Sequence, residues 1–315
     1  MPFTEANGAW SWTHDCRVGP VEGERCAPSA PNVGTAQLAG NTWNLGGDDD
    51  TTGALRMAID ADGTAQVRGE LSDAPPCTRP DCVAPEANTW VRGFPSVVYG
   101  LDLCSALTSP AQAAELQLPM RVGDIPSSLV GTTTYTAEPS HITYTIAYDL
   151  WLNPSDTRDP CRADGTIEVM VWTDHDAEAR LPDSLRSANT TIPYAIDGVA
   201  HDGTDAWAVY STNVYGDGAT APWGGTVWFV LDQARVTNGT VSVDLSAALA
   251  ATAGLLEQYY GWRDFAGTYW LDTIAFGIEF GPTDGQIYGD TPIDFSLDLT
   301  AYCLVIGGDV RDASC

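Results

Sequence analysis

Apolar and polar residues alternate with a period of two along most of this chain. From about residue 36, short segments rich in Val, Ile, Thr, Tyr and Trp recur between clusters of Gly, Pro, Asp and Asn. TAQVRGEL, HITYTIAYDLWL, GTIEVMVWTD, GTVWFVLDQ and YWLDTIAFGIEF are examples. This pattern predicts an all-β jelly-roll sandwich of two antiparallel sheets. One helix interrupts the strands. Asp244 is a suitable N-cap, LSAALAATAGLLEQYY follows, and Gly261 suits the exit. Leu245, Leu249 and Leu256 share a face, which predicts packing on the outside of a sheet. Residues 1–35 are dense in Gly, Pro, Cys and charge and read as a loop-rich N-terminal arm. Residues 36–315 read as a single jelly-roll domain, with no internal repeat or dividing linker.

Three strands share an unusual second face. Side chains alternate between the two faces of a strand. In HITYTIAYDLWL, Tyr144, Ile146, Tyr148, Leu150 and Leu152 form one apolar face, opposite Thr145, Ala147, Asp149 and Trp151. In GTIEVMVWTD, Ile167, Val169 and Val171 oppose Glu168, Met170 and Trp172. In TIAFGIEF, Ile274, Phe276, Ile278 and Phe280 oppose Ala275, Gly277 and Glu279. Each apolar face belongs in a core. Each opposite face sets a carboxylate among aromatic or small side chains, which reads as a wet groove with aromatic walls. Gly277 and Ala275 beside Glu279 leave room for a bulky ligand. Pyranose C–H faces stack on indoles while acids bond the hydroxyls. Paired carboxylates in such a groove suit glycoside hydrolysis, one as acid and one as nucleophile or base. On adjacent strands, ~4.8 Å apart, the pair would meet the short separation of a retaining enzyme. The plain alternative is scattered surface acids on an acidic protein.

These residues resemble glycoside hydrolase family 12, the jelly-roll endoglucanases and xyloglucanases, over roughly residues 38–303. GTIEVMVWTD resembles the family's nucleophile strand, which implies Glu168 as nucleophile. TIAFGIEFGPTDG resembles the acid/base segment, which implies Glu279 in that role. AYDLWL resembles the Tyr-Asp-Leu strand, which implies Asp149 as a carboxylate supporting the nucleophile. NTWN resembles the family's Asn-x-Trp, placing Asn41 and Trp43 on the non-reducing side of a cleft. Trp151, Met170 and Trp172 are further candidates for substrate contact. The resemblance implies a retaining endo-β-1,4-glucanase acting on cellulose, mixed-linkage glucan or xyloglucan. The stretch near 216–225 looks like an enlarged loop, and the family's cysteine pattern is not reproduced. A noncatalytic carbohydrate-binding sandwich and a related jelly-roll xylanase are the rival readings.

Composition narrows the partners. Among 315 residues, 42 acids face 14 bases, all Arg, for a net charge of −28. Such a surface repels phosphate backbones and anionic membranes, so no nucleic-acid or membrane partner is expected. A neutral polysaccharide meets no such penalty, and the charge favours a monomer. No run approaches the ~20 apolar residues of a membrane helix. Met1 opens on no leader and reads as a start placed on a mature sequence. Eight cysteines, an even number in loops, favour disulfides and a secreted protein, with Cys77–Cys82 the first candidate pair. The four His lie far apart, and no zinc, calcium or phosphate-loop motif is complete. No metal or cofactor is expected. IDADGT (Asp60, Asp62, Gly63) reads as a hairpin turn.

Overall fold

The structure is a computed structural model. It describes residues 4–6, 9–15, 36–40, 53–60, 63–71, 90–100, 117–154, 165–177, 179, 181–212, 223–232, 236–262, 264–282 and 292–310. The strands are β1 (Thr4–Ala6), β2 (Ala9–Asp15), β3 (Ala36–Ala39), β4 (Gly53–Ile59), β5 (Ala65–Leu71), β6 (Ser96–Gly100), β7 (Met120–Arg121), β8 (Leu129–Pro139), β9 (Thr143–Asn153) and β10 (Thr166–His175). They continue as β11 (Arg186–Thr190), β12 (Tyr194–Ile196), β13 (Val199–His201), β14 (Trp207–Ser211), β15 (Trp223–Leu231) and β16 (Asn238–Asp244). After helices α1 (Leu245–Tyr260) and α2 (Phe265–Thr268) come β17 (Trp270–Gly281), β18 (Ile293–Ile306) and β19 (Asp309–Val310).

Two sheets result. One runs in the order β1-β2-β4-β5-β18-β8-β16-β12-β13, with β19 on β18. The other runs β11-β14-β15-β10-β9-β17-β6-β3, with β7 on β17. The all-β two-sheet architecture matches the expectation, with one refinement: β10 and β15 run parallel. The three apolar faces read from the sequence meet between the sheets. Tyr144, Ile146, Tyr148, Leu150, Leu152, Ile167, Val169, Val171, Ile274, Phe276, Ile278 and Phe280 all join one core. Leu55, Val67, Leu297 and Leu304 supply it from the facing sheet. Burying a side chain of this size stabilises by about 1.5–3 kcal/mol.

Helix α1 begins and ends where expected. The Asp244 carboxylate accepts a hydrogen bond from the Ala247 amide at 3.0 Å, and Gly261 takes the left-handed φ of 72° at the exit. Its position corrects the expectation. Leu245, Leu249 and Leu256 enter the core between the sheets, and the helix touches β8 of one sheet and β10 of the other. It closes one end of the sandwich instead of lying on an outer face.

The N-terminal arm also differs from the loop expected. β1 and β2 pair through a two-residue connection, Ala6 opposite Ala9, and β2 pairs with β4. Residues 16–35 of the arm lie outside the described residues. The turn at Asp60–Gly63 is a hairpin joining β4 to β5, with Gly63 at φ 89°. Cys303 on β18 is disulfide-bonded. The other seven cysteines, including Cys77 and Cys82, lie outside the described residues. Of the stretch near 216–225, residues 223–225 begin β15 and the rest lie outside them.

Candidate active site

The outward face of the second sheet carries every predicted carboxylate, and strand pairing fixes their relative positions. β9 lies between β10 and β17. Glu168 pairs with Trp151, Met170 with Asp149 and Trp172 with Ala147. On the other side Ala275 pairs with Asp149, Gly277 with Ala147 and Glu279 with Thr145. Asp149 therefore sits on the strand between the two glutamates. The expectation that Glu168 and Glu279 occupy neighbouring strands is not met. Their partners on β9, Trp151 and Thr145, are six residues apart, ~20 Å along a flat strand.

Each carboxylate has its own environment. Glu168 is half-buried and accepts a hydrogen bond from Thr226 Oγ1 of β15 at 2.8 Å. Glu279 is 8% exposed and accepts one from Thr145 Oγ1 at 2.7 Å. Burial lifts the Glu279 carboxyl from 4.5 to about 7, against the Thr145 hydrogen bond. Asp149 is buried and accepts from Trp151 Nε1 at 2.8 Å through Oδ2, while its Oδ1 has no partner. Burial pushes Asp149 well above the ordinary carboxylate value; the indole bond works against this, and the charge of Glu279 adds to the rise. Glu279 thus acts on Asp149 electrostatically although their β9 positions are four residues apart.

The groove floor is drier than its sequence suggested. Met170 and Trp172 are each 2% exposed and Trp151 is 7%. They join Phe94, Val98, Ala147, Ala179, Ala208, Val230 and Ala275 in, or lie beside, a second apolar cluster on this face. Trp151 and Trp172 are floor residues with no open indole face, and the Trp172 Nε1–H has no hydrogen-bond partner. A buried unpaired polar atom costs about 1–3 kcal/mol. Asp149 Oδ1 and Trp172 Nε1 are buried beneath the floor, out of reach of a ligand on this face. Asn41 and Trp43 lie outside the described residues.

The room expected beside Glu279 is filled by the chain itself. A Cβ at Gly277 would stand 2.3 Å from the Pro95 carbonyl oxygen and 2.6 Å from Ser96 Cβ. Residues 92–95 run along β17, with Arg92 N–H donating to Phe280 O and Ile278 N–H to Pro95 O. Gly277 permits that close approach, not a ligand's.

Three features were missed in the sequence. Asp272, at a bulge in β17, is fully buried, accepts from Asn153 Nδ2, and is lifted by burial to about 7. Asn153 in turn accepts from Thr166 Oγ1 at 2.5 Å. Trp228 and Tyr210 are half-buried aromatics packed against the groove cluster. Trp228 pairs with Met170 and Tyr210 with Trp228, so both extend the Asp149 row across the sheet. Among the described residues, no group of three or more His, Cys, Asp or Glu is placed to hold a metal ion.

No protein-family model matches the sequence, and no curated protein sequence matches it either. Solved structures do match. A metagenome-derived glycoside hydrolase family 12 endoglucanase is 19% identical, with a TM-score of 0.55 over 94% of this chain and 97% of that one. A family 12 xyloglucanase from Bacillus licheniformis is 14% identical, with a TM-score of 0.58 over 94% and 99%. Endoglucanase 3 of Trichoderma harzianum, from family 12, is 14% identical, with a TM-score of 0.55 over 96% and 99%. The two large sheets and the near-complete coverage of both chains support one conclusion: this chain has the jelly-roll fold of the glycoside hydrolase family 12 endoglucanases and xyloglucanases.

Proposed function

We propose that this chain is a secreted, monomeric glycoside hydrolase that cleaves neutral β-1,4-glucan internally and with retention. The observation that carries the reading is Glu279. A carboxyl that keeps its proton to about pH 7, on one face with a half-open glutamate, is equipped as a general acid. Glu168 attacks the anomeric carbon as Glu279 protonates the departing glycosidic oxygen. A C–O bond to Glu168 forms as the glycosidic C–O bond breaks. Water then attacks the same carbon, Glu279 takes its proton, and Glu168 leaves as carboxylate. Thr226 holds Glu168 in place by a hydrogen bond from its hydroxyl. Asp149 stands on the strand between the two glutamates as the supporting carboxyl, its own ionisation disfavoured by burial. The solved structures of like fold carry the names endoglucanase and xyloglucanase, which supports a β-glucan substrate.

The six-residue offset along β9 favours a second reading, a noncatalytic carbohydrate-binding sandwich. Retention needs carboxyl groups ~5–5.5 Å apart. The catalytic reading therefore requires sheet coiling and two long side chains to close the offset. Reducing-sugar release separates the readings, with carboxymethylcellulose, mixed-linkage glucan, xyloglucan and xylan as substrates. Release from at least one β-glucan, nearly abolished in Glu168→Gln with folding and sugar binding intact, is expected. Binding without release from any of the four would overturn the catalytic reading.

A further inference from the structure

The geometry points to a sugar-stacking subsite formed by Trp228 and Tyr210, which takes a pyranose of a neutral β-linked glucan on the Glu168 side of the groove. It deepens the function proposed above and rests on that reading. Strand pairing lines up Val98, Ala275, Asp149, Met170, Trp228 and Tyr210 in one row across β6, β17, β9, β10, β15 and β14. A chain lying along this row crosses successive strands ~4.8 Å apart. Trp228 then lies ~10 Å from Asp149 and Tyr210 ~15 Å, in backbone terms.

Exposure changes along that row. Ala275, Asp149 and Met170 are each 4% exposed or less, whereas Trp228 and Tyr210 are half-buried. On the same two strands Val230 and Ala208 close the cluster with small apolar side chains. Among the described side chains on this face of the two strands, large aromatics stand only at the position that continues the Asp149 row. Trp207 shows the contrasting use of an indole in β14. It points to the core, is fully buried, and donates its Nε1–H to Ile192 O at 2.8 Å. A partly open indole and phenol side by side give a flat apolar surface with polar edges, suited to the C–H face of a sugar. The charge of −28 selects a neutral chain over an anionic one at this surface.

Cellohexaose and cellotriose are the probes, and the readout is the ratio of their kcat/KM values. Removing a stacking ring should lower affinity about tenfold only where a sugar reaches it. The ratio, long over short, should fall about tenfold in Trp228→Ala and be largely restored in Trp228→Phe. Tyr210→Ala should lower it as well, and it carries the test if Trp228→Ala does not fold. An unchanged ratio in the folded variants would overturn the subsite. If the wild type cleaves neither probe, the polysaccharide panel above decides the catalytic reading and binding decides the subsite separately. Cellohexaose affinity by calorimetry that drops in the Trp228 or Tyr210 variant supports it, and equal affinity overturns it.

Discussion

Replacing Glu279 by Gln removes one proton-binding group and leaves the shape of the site in place. The amide oxygen still accepts the Thr145 hydroxyl, so the difference between the two proteins isolates ionisation. The folded carboxyl titrates at about 7 and its ordinary value is 4.5. Between these values the folded state holds a proton that the unfolded chain has released. Stability from this group is therefore complete below about pH 4.5 and is lost as pH rises through about 7. A shift of about 2.5 units corresponds to about 3 kcal/mol. For a chain of 315 residues that is about 5 °C in Tm. Urea unfolding at pH 4.5 and pH 8.5 is the assay. Glu279→Gln should gain about 3 kcal/mol on the wild type between these two values, with Asp272 bending both curves in the same sense and Asp149, relieved of the Glu279 charge, bending the variant's curve less. Parallel curves, a constant difference at both pH values, would show that Glu279 titrates as an ordinary surface acid. The general-acid assignment would then lose its physical basis.

Two further outcomes follow from the site and the fold. An NMR time course on a β-glucan should show the β-anomer released first; initial α-anomer would overturn the covalent mechanism. Asp244→Ala should destabilise the protein by about 1 kcal/mol in urea unfolding, with Asp244→Asn close to wild type, because either capping side chain accepts from Ala247.

The faces of β9, β10 and β17 were legible because a period of two leaves no freedom once one face is buried. Long-range pairing was not legible in the same way. Nothing local in GTIEVMVWTD announces that β9 separates it from the Glu279 strand, or that its other neighbour runs parallel. Gly277 shows the same limit, since its carbonyl and side-chain neighbours come from Pro95 and Ser96. Trp228 was visible in GTVWFVLDQ, but the one carboxylate of its alternation, Asp232, falls just past the end of β15. Asp272 was hidden by a bulge that breaks the alternation. The first hairpin had a local signal that was passed over, the Asn7-Gly8 pair between two short runs. The Gly, Pro and Cys density after residue 15 outweighed it.

Strand order has a kinetic consequence. Among the described strands, β1, β2, β4 and β5 reach β8 only through β18, and β3 and β6 reach β9 only through β17. The first third of the chain must therefore wait for nearly the last strands before its sheets can close. During synthesis Asp149 and Glu168 emerge long before Glu279, so the groove has one wall until the C-terminal fifth is released. Pairings between such distant segments slow folding and leave strand edges open in the interval. Refolding of this chain should accordingly be slow, and aggregation should compete with it as protein concentration rises.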